Sequence, residues 1–153
     1  MVLSTLETPD WERLAQNWSN GHVKLAWTRH LLKLRTELAD VFAHGDYEPL
    51  AVSGPHRGHV IAFARRRGRD AAIIAVAKSF AAFSQGGRTW PRPEAFDATL
   101  NIKGYTVQDI PHTTGEAELR LSALFQHLPV AVLKARYEGA LKPARRRSRL
   151  IQA

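Results

Sequence analysis

A chain of 153 residues, 44% hydrophobic and 24% charged, is long enough for one domain with a real core, burying roughly two-thirds of the surface its unfolded form exposes. It holds no cysteine, which excludes disulfides, thiolate catalysis and cysteine-ligated zinc; no apolar run reaches the roughly 18 residues of a membrane helix, and residues 1–17 do not read as a secretory signal, so the expected compartment is the cytoplasm. The net charge of +8 is unevenly placed: Lys142, Arg145, Arg146, Arg147 and Arg149 lie in residues 139–153, where no acid occurs, and taking those five from +8 leaves +3 for the body.

Residues 1–44 read as helical. In "ETPDWERLAQNW" Thr8 suits an N-cap, Pro9 the first helical position, and Asp10 and Glu12 complement the positive end of the dipole. Trp11, Leu14, Ala15 and Trp18 then share a face, and Ser19-Asn20-Gly21 ends the helix. A second helix is predicted over 22–42. Val23, Trp27, His30, Leu31, Leu34 and Leu38 recur there at three- and four-residue steps, with Lys24, Thr28, Arg29, Lys33, Arg35 and Glu37 opposite.

From Gly45 the pattern changes to short runs of Val, Ile, Ala and Phe between Gly, Pro and charged turns, which predicts an antiparallel β-sandwich over residues 45–138. "HVIAFARR" and "AAIIAVAKSF" flank Arg67-Gly68-Arg69-Asp70 as a hairpin with Arg65, Arg66, Arg67 and Arg69 at its tip. Both strands are apolar at successive positions, as buried central strands are. "SQGGRTWPRPEAF" reads as a loop. Further strands are expected over 98–102, 105–110, 118–124 and 130–135, and a basic disordered tail over 139–153.

The residues offer little chemistry. There is no phosphate-binding loop and no nucleophile elbow, no cofactor is implied, and no catalytic residue can be named. His56 and His59 in "PHRGH" have no nearby Cys, Asp or Glu to complete a metal site, so they read as exposed turn histidines; His30 reads as a core residue. Asp46 and Glu48 point the same way from one strand, unlike carboxylates placed across a sugar, and read as solvated edge charges. Trp11, Trp18 and Trp27 lie at core spacing. Trp90, between Arg88 and Arg92, has the setting of a ring that contacts a saccharide or a nucleobase, set against the plainer role of plugging its loop. The tail lacks interleaved aromatic residues and an adjoining recognition helix, so non-specific attraction to nucleic acid is the most it implies.

The order of segments carries more. "WSNGHVKLAWTRHLLKLRTELADVFAHGDYEPL", then "HVIAFARR", then "LFQHLPVAVLKA", resembles the C-terminal end of maltooligosyltrehalose synthase, in the alpha-amylase superfamily. The residues concerned are Trp18, Gly21, Lys24, Leu32 to Arg35, Phe42, Gly45 to Leu50, Val60 to Arg65 and Leu128 to Leu133. The resemblance implies that the helix before Gly45 is the last helix of a (β/α)8 barrel and that the strands after it form the family's C-terminal β-sandwich. The rest of such a barrel, roughly 200 residues or more, is not in this sequence, and no position here can inherit the family's catalytic carboxylates. "RRRGRD", "SQGGRTWPRP" and the arginine-rich tail depart from the pattern.

Three readings follow. The first is a freestanding homologue of that C-terminal domain, non-catalytic alone, either a remnant or the small part of a split enzyme. Its partner would be a catalytic-barrel protein or a second copy, met through Val23, Trp27, Leu31, Leu34 and Leu38. The second is an alpha-glucan-binding module using Trp90, Arg88 and Arg92. The third is a nucleic-acid-associated basic protein.

Overall fold

The computed structural model of the chain describes residues 9–86, 96–108 and 117–140. Asp10 caps α1 (Trp11–Gln16), its side chain accepting from the Arg13 N–H at 3.0 Å. Asp10 holds the capping position of this helix, and Thr8, expected there, lies outside the described residues. A 3-10 turn, Trp18–Asn20, ends at Gly21 with φ +77, and α2 (His22–Glu37) begins. The helix expected over 22–42 is broken: Leu38 leaves helical geometry at φ −112, and α3 (Ala39–His44) follows it. The break lets Leu38, Val41 and Phe42 reach the sheet together.

α3 runs into β1 (Asp46–Pro49) through Gly45. A Cβ there would collide with the Val41 carbonyl oxygen and lie 3.1 Å from that of Arg66. Glycine is required by close approach, since φ is an ordinary −69. β3 (Val60–Arg67) and β4 (Asp70–Ala77) form the expected hairpin, with Arg67 opposite Asp70 and Gly68 at φ +61 in the two-residue turn.

The remaining strands are β2 (Val52–Ser53), β5 (Thr99–Asn101), β6 (Tyr105–Val107), β7 (Glu118–Arg120) and β8 (Val130–Tyr137). A five-stranded sheet in the order β1-β3-β4-β8-β6 and a three-stranded sheet in the order β2-β5-β7 are antiparallel throughout. The domain is thus mainly β, sandwich-like, with helices at its N-terminal side. The strand expected over 118–124 stops at Arg120 and becomes one helical turn, α4 (Leu121–Leu124), which buries Leu121.

Alternation decides what each face buries. Ala62, Ala64, Ala71, Ile73, Ala75, Ala131 and Ala135 point toward the three-stranded sheet, where Leu100, Ile102 and Leu119 meet them. Ala72 and Ile74, on the other face of β4, lie under Val41 with Leu38, Phe42, Phe63 and Val132 around them. β4 is therefore covered on both faces, as its unbroken apolar run requires. β3 is covered less completely, because Ile61 looks outward and is 48% exposed.

Candidate functional site

The aligned strands end in a polar cap on the main core. Glu48, from edge strand β1, faces inward together with Arg66 on β3, and Tyr137 and Tyr105 approach from β8 and β6. The Tyr105 hydroxyl donates to Glu48 Oε2 at 2.7 Å. β1 and β6 are opposite edges of the five-stranded sheet, whose strands are spaced roughly 4.8 Å apart; two side chains can span that width only if the sheet curls strongly. Arg66 Nε lies 3.8 Å from the same carboxylate oxygen, and its guanidinium sits 4.2 Å above the Tyr137 ring. Burial and the neighbouring carboxylate both hold the Tyr105 phenol above its usual range. A phenol held protonated and donating to a carboxylate is a latch, with no nucleophile aimed at open space. Glu48, its side chain 44% exposed, is thus more than the solvated edge charge its strand position implied: Arg66 reaches it from the neighbouring strand and Tyr105 from the opposite edge of the sheet.

A second cluster gathers rings around the Arg57–His59 turn. His56 stacks on Phe96 with centroids 5.5 Å apart and meets Phe83 edge-on at 4.9 Å; His59 meets Phe83 at 5.2 Å. His56 Nδ1 accepts from the Asp97 N–H at 2.8 Å, and the His56 N–H donates back to the Asp97 carbonyl at 3.0 Å. These histidines are packed aromatic anchors, in place of the exposed turn residues expected. Among the described residues, no three or more His, Cys, Asp or Glu side chains come together as a metal-holding group.

The hairpin arginines do not form one basic tip. Arg65 Nη2 donates to the Phe42 carbonyl at 3.1 Å, Arg66 is tied into the cap, and Arg69 Nη1 donates to the Tyr137 carbonyl at 3.1 Å. Alternation sends Arg65 and Arg66 to opposite faces of the sheet. Trp90, Arg88 and Arg92 lie outside the described residues, as do Lys142 and the arginines after it.

On α2, Leu34 is buried and Val23, Trp27 and Leu31 are half-buried, as is Leu38 just past its end. The chain itself supplies part of that cover: α1 folds back so that Trp11 meets Trp27 edge-on at 5.5 Å, Ala15 and Ala26 are buried, and Leu38 joins the sheet. His30, expected in the core, is exposed and stacks on Trp27 at 5.2 Å. Near the helix end Glu37 pairs with Lys134 of β8, which lowers the Glu37 pKa. The opposite face presents Leu25 and Leu32, 54% and 58% exposed. The seven-residue spacing of that pair is legible in the sequence.

An antiparallel two-sheet domain whose helices lead directly into its edge strand is the class that fold and site together define. No family model matches the chain, and no curated protein matches it. Among solved structures it is similar to maltooligosyltrehalose synthase from Arthrobacter ramosus, at 24% identity with a TM-score of 0.45, and to a mutant of that enzyme, at 23% identity with the same score. Each likeness covers 68% of this chain and only 12% of the synthase chain.

Proposed function

We propose that the chain is a domain related to the C-terminal region of maltooligosyltrehalose synthase, non-catalytic by itself, which completes a catalytic barrel carried on another polypeptide. It would work in the cytoplasm, in alpha-glucan and trehalose metabolism, as the accessory part of an isomerase. One observation carries this reading. The motif Gly45-Asp46-Tyr47-Glu48-Pro49-Leu50, on which the sequence resemblance turns, is the joint where helix becomes sheet. Gly45 permits the close approach to Val41 and Arg66, Glu48 holds the latch to Tyr105, and Leu50 enters the main core. Three of the motif's six residues thus meet a geometric demand of this joint, which supports common descent of the joint better than scattered identities do.

The test is complementation. A maltooligosyltrehalose synthase truncated after its barrel is purified with and without this chain, and formation of maltooligosyltrehalose is followed. Activity restored only by the added chain, in a complex seen by light scattering, is the expected result. Co-purification without activity, or activity independent of the chain, refutes the proposal.

A further inference from the structure

We infer that the outer stripe of α2 is a docking surface for an acidic amphipathic helix of a partner protein. The broad apolar face of α2 is turned inward, yet Leu25 and Leu32 remain more than half exposed on the outside. Seven residues are two helical turns, so the pair forms a seam one residue wide. Lys24 and Arg35 flank that seam on one side and Lys33 on the other, all three exposed. Within α2 the first acid is Glu37, and it is bound to Lys134. An apolar seam edged by charge is how paired helices choose partners: the leucines supply contact and the flanking charges set partner and orientation.

The charge pattern selects the occupant. A second copy of this chain would bring like charges to the same seam, which disfavours self-association through it. A lipid surface calls for a wide apolar face that can sink into the headgroup region, and two leucines do not make one. A helix with glutamates or aspartates beside its own apolar seam satisfies both elements. The inference goes beyond the proposed function and stands whichever protein carries the helix.

The test uses a synthetic helical peptide with leucines at seam spacing and glutamates on both flanks. The same peptide with lysines on the flanks, and phosphatidylserine vesicles, serve as the other arms. Fluorescence anisotropy gives affinity, and amide chemical-shift mapping on the full chain gives location. The glutamate peptide is expected to shift residues 22–36 and to bind more weakly as salt rises. Leu25→Ala with Leu32→Ala should weaken it roughly tenfold, the burial of about half of two leucine side chains, and Lys24→Glu with Arg35→Glu should weaken it further. Both double variants change exposed positions, so an unchanged melting temperature shows that the fold survives. Equal binding of the lysine peptide, preference for the vesicles, shifts elsewhere, or no binding of the glutamate peptide overturns the inference.

Discussion

Replacing Tyr105 by Phe removes one hydroxyl and leaves the ring, which isolates the latch between the two edges of the five-stranded sheet. A hydrogen bond to a charged acceptor contributes about 1.5–3 kcal/mol. The Glu48 side chain is 44% exposed, so water takes up part of the loss and a cost of about 1–2 kcal/mol is expected. For a chain of this size that lowers the melting temperature by about 2–8 °C. Glu48→Gln keeps an acceptor but loses the charge, and the cycle of both variants should give a coupling of about 1 kcal/mol at neutral pH. The alkaline limb supplies an independent check. The folded pKa of Tyr105 is raised from an ordinary value of 10.0, so its contribution is whole below pH 10 and is lost as pH rises toward the folded value. Urea melts from pH 7 to 11 should therefore show the gap between wild type and Tyr105→Phe narrowing above pH 10. An unchanged melting temperature at pH 7, or a gap that widens with pH, refutes the latch.

Gly45→Ala should cost at least about 2 kcal/mol by chemical denaturation, because the new methyl meets two backbone carbonyls that cannot turn away. Leu121→Ala, at a fully buried side chain, should cost about 2–5 kcal/mol, while Leu25→Ala on the outer face of α2 should change stability by no more than about 0.5 kcal/mol. Glu37→Gln should remove an acid-limb loss: the Lys134 partner lowers the Glu37 pKa from 4.5, so the pairing is present above that pH and fades below it. Wild type and variant should differ at pH 6, and the gap should narrow as pH falls below 4.5 in thermal melts.

Local signals revealed the elements and tertiary ones decided their details. The apolar run of β4 announced a strand covered twice, and both covers exist, because successive buried side chains on a pleated strand have to face both ways. The two-residue hairpin turn was equally legible, since Gly68 sits where positive φ is needed. The break at Leu38 was not: Leu34, Leu38 and Phe42 keep helical spacing across it, and the partners that Leu38, Val41 and Phe42 meet on the sheet are distant in sequence. Residues 118–124 look like a strand by content, yet Leu121 enters the core from a helical turn, a choice made by packing. The polar cap was hidden for a related reason. Glu48 and Tyr105 lie 57 positions apart and on opposite sheet edges, so only the curl of the sheet makes them neighbours. His56 and His59 became aromatic anchors through Phe83 and Phe96, partners that spacing around "PHRGH" does not indicate.

The cap also predicts an asymmetry that simple counting of ion pairs would miss. Arg66 and Glu48 are formally one pair, but they are unequally buried: the arginine side chain is 15% exposed and the glutamate 44%. Arg66→Met leaves Glu48 with the Tyr105 hydroxyl and with water, and places an apolar chain of similar length over the Tyr137 ring. Glu48→Met leaves a guanidinium with little access to water, its Nε already without a hydrogen bond, and deprives Tyr105 of its acceptor. Removing the partner of a buried charge costs more than removing the charge itself, so Glu48→Met should be the more destabilising by at least about 1 kcal/mol in urea melts at pH 7. If Arg66→Met costs as much or more, the guanidinium is held chiefly by the tyrosine ring and the carboxylate is incidental to it. In that case the edges of the sheet are joined by the Tyr105 hydroxyl alone.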